Sequence, residues 1–269
     1  MLAGSTILTG IVVIALLDII SLLLGLLTVS GIIAASIIGL VVFHFGGWRW
    51  FVILLVFLII SSLFTKFKYS QKRELGIAQG KKGARSWINV VANGFASAGF
   101  AIGKSLLPVE TVLLGFIGAV SAAFADTLST EIGILSKSSP RLITNLKRKV
   151  PAGTSGGISV LGELSVLIST AILTLAVWAV DLVSFSLTKI LFVTLVSGYA
   201  GTTTDSLLGA TFQAKYSCEI CGRIVESKRH CDKPTQHMAG KRILDNNGVN
   251  FIATWIGAIT AILFQWVAF

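Results

Sequence analysis

A chain of 269 residues with 54% hydrophobic and 13% charged residues, and a mean hydropathy of +0.86, is too apolar for an ordinary soluble domain and falls in the integral-membrane class. A net charge of +10 would point to nucleic acid in a soluble protein, but nineteen of the 22 Lys and Arg residues lie in three stretches, residues 66–86, 136–156 and 211–248. Basic residues confined to loops between apolar runs are the positive-inside pattern, which excludes a nucleic-acid partner and puts all three loops in the cytoplasm.

Segments able to cross a core of about 30 Å, which takes roughly 20 helical residues, run over residues 5–27, 29–45, 50–65, 87–106, 110–135, 157–180, 186–210 and 249–268. The expected fold class is all-α, a polytopic transmembrane bundle of about eight helices with a small cytoplasmic Cys/His loop. It forms one integral membrane domain over residues 1–269, in the cell membrane, with both termini outside. No basic residue precedes the first segment and no small-residue cleavage pattern follows it, so it reads as a retained span. Asp18, in mid-span, faces the bundle, pairs with a serine or marks a tilted segment. His44 to Trp50 form an outer turn whose tryptophans suit the interface.

The fourth helix begins with Asn89 and Asn93, whose i, i+4 spacing puts both amides on one face. The small residues from Gly94 to Gly99 suit close helix packing, while an asparagine near the cytoplasmic end also suits a polar ligand, with Asn93 the stronger candidate. The fifth helix carries Asp126, Thr127, Ser129, Thr130, Glu131 and Gly133. Asp126, Ser129, Thr130 and Gly133 share one side, but Glu131 lies about 140° away on a regular helix. Intramembrane carboxylates are costly and mark functional sites, although a structural ion pair with Arg141 or Lys147 is the alternative. Arg141, Lys147, Arg148 and Lys149 follow in a loop without acids, and Pro151 to Gly157 reads PAGTSGG before the sixth helix. Exposed glycine-turn amides, hydroxyls and a helix N-terminus favour a phosphate, although the Walker lysine and spacing are absent. Glu163, just beyond, extends this site or pairs with a neighbour.

The seventh helix repeats the Asp, Ser/Thr, Leu order at Asp205-Ser206-Leu207, again shortly before a basic loop. Two carboxylates from two helices suit Mg²⁺, which is usually held by one or two carboxylates plus substrate phosphates. In the third loop, Cys218-x-x-Cys221-Gly222 resembles half of a zinc knuckle over residues 216–238, with His230 and Cys231 as the second pair and His237 competing. Cytoplasmic thiols remain reduced, so metal is favoured over a disulfide. Asp245-Asn246-Asn247 caps the last helix or joins the site.

Taken together, Asn93-Gly94, the run Ala125 to Gly133, Pro140 to Thr144, Val150 to Gly157, Asp205 to Ala210 and Leu244 to Asn247 resemble the membrane family filed as domain of unknown function 92, which includes transmembrane protein 19 and the plant phytyl-phosphate kinase. The resemblance covers nearly everything from about residue 30 onward, and the Asp126–Gly157 stretch is its specific part. It implies phosphorylation of a prenyl monophosphate to the diphosphate by a nucleoside triphosphate, with CTP expected and Mg²⁺ required. On this reading Asp126 and Asp205 bind Mg²⁺ with Glu131 assisting. Arg141, Lys147 and Gly153, Thr154, Ser155, Gly156 and Gly157 hold phosphates, and Asn93, Asp245 and Asn246 orient substrate or nucleotide. The partners are a lipid phosphate, a nucleotide and the membrane. Two alternatives stand beside it. One is CTP-dependent cytidylyl transfer to a lipid phosphate; the other is an ion-coupled transporter, which would carry its acids at the midplane.

Overall fold

A computed structural model of the chain describes residues 2–74 and 83–268; Lys81 and Lys82 of the first basic loop lie outside the described residues. Eight helices of 13 to 25 residues dominate the described chain: α1 (Leu2–Leu23), α2 (Val29–Val41), α3 (Trp48–Lys66), α5 (Trp87–Gly103), α6 (Val109–Gly133), α7 (Val160–Ala179), α8 (Leu187–Thr211) and α9 (Asn246–Ala268). A six-residue helix, α4 (Tyr69–Glu74), lies in the first basic loop. Five of the helices are long and apolar enough by composition to cross a membrane. The fold is the expected all-α polytopic bundle.

Element ends follow local chemistry. Thr28, Ser159 and Ser186 cap α2, α7 and α8 through their hydroxyl oxygens, and the Asp245 carboxylate accepts from the Gly248 amide at 2.9 Å at the start of α9. The second apolar segment extends α2 by a π-helical turn over Val42–Gly46 and stops at Gly47, whose φ of 98° suits only glycine. The second and third basic-loop segments contain short strands that the apolar pattern did not announce. One three-stranded antiparallel sheet joins β1 (Arg141–Leu142) to β2 (Asn145–Lys149) and β3 (Gly157–Ile158). A second joins β4 (Lys215–Ser217) to β5 (Ile224–Val225) and β8 (Gln236–Ala239), with a β6 (Arg229–His230) and β7 (Lys233–Pro234) ribbon beside it.

Helix α6 is the axis of the bundle and packs against α3, α5, α7, α8 and α9. Every side chain from Leu114 to Asp126 is buried, as expected for a helix apolar on all sides. Around it, Leu16, Ile33, Ile37, Leu164 and Trp178 face outward, the surface that lipid covers. Glycine lets α8 and α9 close on α6: a Cβ at Gly201 or at Gly257 would lie 2.4 Å from the Ala122 Cβ. That close approach brings the polar ends of the three helices together.

Candidate active site

Asp126 and Asp205 lie at matching depths on neighbouring helices that run in the same direction toward the basic loops. Asp126 is seven residues before the end of α6 and Asp205 six before the end of α8, roughly 10 Å in from each terminus. The two carboxylates interact electrostatically. Asn250 of α9 completes this layer. With its amide in the orientation that matches donors to acceptors, its nitrogen donates to Asp205 Oδ2 at 3.0 Å and to the Asn246 carbonyl at 2.8 Å. Asn246 thus meets the site through its backbone. The apolar pattern of α9 does not single out Asn250, although Asn246 and Asn250 repeat the i, i+4 spacing of Asn89 and Asn93.

Glu131 has a different partner from the metal or the Arg141 and Lys147 side chains expected for it. Its Oε2 accepts from Lys72 Nζ of α4 at 2.5 Å, and the two side chains are only 3% and 1% exposed. The same ammonium donates to the Phe64 carbonyl near the end of α3 at 2.8 Å. Arg85, just before α5, faces the two acids near the end of α6: its guanidinium interacts with Glu131 and Asp126. It also lies 5.8 Å from the centre of the Phe57 ring and donates to Thr65 Oγ1 at 3.4 Å. Burial pushes its pKa down to about 10, against the pull of the two carboxylates, so it stays cationic at neutral pH. Both cations belong to a charge run that reads in sequence as a solvated loop, and no local signal distinguishes Lys72 from Lys66 or Lys68.

Arg141 and Lys147 are exposed on the β1–β2 hairpin, where the Arg141 guanidinium donates to the Leu146 carbonyl at 2.6 Å and the Lys147 amide to Asn145 Oδ1 at 3.2 Å. The glycine turn is displaced from the expected helix N-terminus, because β3 intervenes and Ser159 already caps α7. It packs instead on the end of α8: a Cβ at Gly156 would lie 2.6 Å from both the Ala210 Cβ and the Ser206 carbonyl. The turn therefore touches the helical segment that begins with Asp205. Within it the Thr154 and Gly157 amides donate to the Pro151 and Thr154 carbonyls. Among the described residues no hydrogen bond uses the amides of Gly153, Ser155 and Gly156. The Ser155 hydroxyl donates to Glu226 Oε1 at 2.6 Å.

Asn93 is buried on α5, its amide nitrogen donating to the Asn89 carbonyl at 2.9 Å while its Oδ1 has no partner among the described residues. Glu163 is half-buried in the first turn of α7, beside Tyr199 of α8. Asp18 accepts from the Ser36 hydroxyl at 2.7 Å, the serine pairing of the three readings. The ligand atoms of Cys218, Cys221, His230 and Cys231 all lie within 4.8 Å of one another, the geometry of a possible metal-binding cluster. His237 stands apart on β8, its ring edge-on to Tyr216 at 5.5 Å. Backbone N–H groups of Cys221 and Ile220 and the His230 side chain lower the Cys218 thiol to about 6, favouring the thiolate a metal needs.

The helices, outward apolar faces and polar layer at one end define a polytopic α-helical membrane protein. Residues 12–258 match the family described as Integral membrane protein DUF92, and the chain belongs to that family. It is 34% identical to Protein PGR of Arabidopsis thaliana, over 84% of this chain and 85% of that one. It is 31% identical to an uncharacterised membrane protein of Methanocaldococcus jannaschii, over 87% and 84%. The chloroplastic Protein VTE6 of Arabidopsis thaliana is 28% identical over 89% of this chain and 65% of its own length. No solved structure matches.

Proposed function

We propose that the protein is a membrane-embedded prenyl-monophosphate kinase that makes the prenyl diphosphate from a nucleoside triphosphate, with CTP the preferred donor. The observation that carries this reading is the placement of Asp126 and Asp205 at matching depths on the adjacent helices α6 and α8, at the end where the glycine turn packs against α8. The reaction class comes from the family resemblance, to a group that includes the plant phytyl-phosphate kinase.

The donor set fits Mg²⁺. Two carboxylates offer hard oxygen ligands, and Lys72 already neutralises Glu131, which makes Asp126 and Asp205 the pair left for the ion. When bound, Mg²⁺ supplies charge neutralisation on the nucleotide phosphates. Asn250 orients the Asp205 carboxylate. Arg85 contributes a fixed positive charge beside Asp126, and the free amides of Gly153, Ser155 and Gly156 donate to a phosphate oxygen. Arg141 and Lys147 act at the rim as exposed capture charges for phosphate, while Asn93 and the Asp245–Asn246 corner orient the acceptor. An oxygen of the lipid phosphate attacks the γ-phosphorus, the bond from that phosphorus to the β–γ bridging oxygen breaks, and the nucleoside diphosphate leaves. The acceptor is already an anion, so no general base is required. The basic loops and this face are cytoplasmic, and the Cys/His cluster holds zinc in a structural role.

The test incubates purified protein with Mg²⁺, CTP or ATP and prenyl monophosphates of several lengths, and separates the products. Prenyl diphosphate with CDP is the expected outcome, lost in Asp126→Asn. Pyrophosphate with a cytidylylated lipid would establish cytidylyl transfer instead. No product with any pair, and no difference between wild type and Asp126→Asn in lipid binding, would sink the kinase reading.

A further inference from the structure

The Cys/His segment reaches the glycine turn through one side chain. Glu226 follows β5, five residues after Cys221 and four before His230, so both ends of its loop are members of the Cys/His cluster. Its Oε1 accepts from the Ser155 hydroxyl at 2.6 Å, across a sequence separation of 71 residues. Electrostatically it faces Lys215, Asp245 and Asp205, which come from β4, the cap of α9 and α8. Around it, β5 pairs with β4 at Tyr216↔Val225 and Ser217↔Ile224, and the Cys218 amide donates to the Arg223 carbonyl at 3.0 Å. The Gly222 turn has φ of 68°, and Cys231 and Asp232 also take left-handed backbone, which folds the chain back beside Cys218 and Cys221.

We propose that Glu226 is a positioning residue: the metal-clamped hairpin presents its carboxylate to Ser155 and so holds the glycine turn in register with Asp205. The physical need is plain. The turn has two glycines with left-handed backbone, Gly153 and Gly156, and spends only two of its amides internally. A turn rich in glycine loses much conformational entropy on ordering, so an anchor on its hydroxyl restrains it. The anchor itself sits in a short-stranded loop with a sparse core, and closing that loop at Cys221 and His230 shortens the free chain around Glu226. Metal in the cluster would thus act on the phosphate-binding turn without touching substrate. This proposal rests on reading the turn as a phosphate cradle, but its primary test does not.

That test is hydrogen exchange of peptides covering residues 150–158 in the full-length, zinc-loaded protein, with α6 peptides as an internal reference. Glu226→Ala and Ser155→Ala should each accelerate exchange in the turn several-fold, and the double variant should be no faster than either single. Glu226→Gln should stay near wild type, because the amide carbonyl still accepts from the Ser155 hydroxyl. Zinc removal and Cys221→Ser should reproduce Glu226→Ala with α6 unchanged. Unchanged turn exchange in Glu226→Ala, or in both metal-depleted forms, would overturn the proposal. A parallel measurement of Mg·CTP and Mg·ATP affinity separates the two readings. Weaker binding in Glu226→Ala than in Glu226→Gln supports the cradle, whereas binding of neither Mg·CTP nor Mg·ATP by wild type refutes the kinase reading and leaves the exchange result to decide the positioning role.

Discussion

Lys72 Nζ and Glu131 Oε2 are 2.5 Å apart with both side chains sealed from solvent. The pair joins the first basic loop to the central helix, and it separates the two acids near the end of α6 by role: Glu131 carries its own counter-charge, while Asp126 faces Asp205 and Arg85. Breaking a buried pair leaves one charge uncompensated, at a cost of about 3–5 kcal/mol, whereas replacing both partners by apolar residues is often neutral. Lys72→Met and Glu131→Met are therefore each expected to lower thermal stability sharply, and the Lys72→Met/Glu131→Met double variant to recover most of it. Tryptophan-fluorescence melting of the four proteins in detergent closes this cycle. Additive losses would remove the ion pair as the cause.

Asn250 tests whether the Asp205 carboxylate is held in place. Losing a group that orients a metal ligand typically costs about 10–100-fold in activity or metal affinity. Asn250→Ala should show that drop in the Mg²⁺ dependence of turnover with little change in melting. Asp205→Asn should be more severe, and Asn250→Ala added to it should cost little more.

Gly156 combines φ of 78° with the close approach of Ala210 and the Ser206 carbonyl. Gly156→Ala should cost about 1–3 kcal/mol of local strain and push the turn off α8. The expected signature is a raised KM for the nucleotide, with exchange faster in residues 150–158 than in α6. Wild-type kinetics would show that the turn does not bind phosphate.

Arg85 and the hairpin cations should behave differently. Exposed charges such as Arg141 and Lys147 contribute about 0–1 kcal/mol each, so their alanine variants should lose less than about fivefold, and the loss should fade with added salt. Arg85→Ala removes a charge facing two carboxylates and should cost about 2–5 kcal/mol in nucleotide binding, with weak salt dependence. Because burial lowers the Arg85 pKa to about 10, its contribution is present below that pH and lost as pH rises through it. Nucleotide affinity measured from pH 7 to 10.5 follows this directly.

Orientation can be read from the exposed thiols of Cys221 and Cys231. After chelation, a membrane-impermeant maleimide should label inside-out vesicles and leave right-side-out vesicles unlabelled. Labelling only from the outside would reverse the topology.

Much of the fold was legible because spanning a bilayer imposes a simple condition on composition: about 20 apolar residues per helix, with positive charge between them. That condition marked the eight long helices, and helical periodicity alone separated Asp126 from Glu131. Short chemical patterns marked Asp205, the glycine turn and the Cys218–Cys231 tetrad as candidates. The partners were another matter. Lys72 looks like any lysine of a basic loop, Glu226 like any loop acid, and Asn250 like a stray polar residue on an apolar helix. Their significance comes from packing, since glycine contacts at Gly201 and Gly257 draw α8 and α9 onto Ala122 and two loops fold back over the ends of those helices. Hydrophobic patterning is local and repeats along one chain, so the sequence by itself determined the helices and the residues able to do chemistry. Charge pairing acts between segments far apart in sequence, so only the tertiary structure decided that Glu131 belongs to Lys72, Asp205 to Asn250 and Ser155 to Glu226.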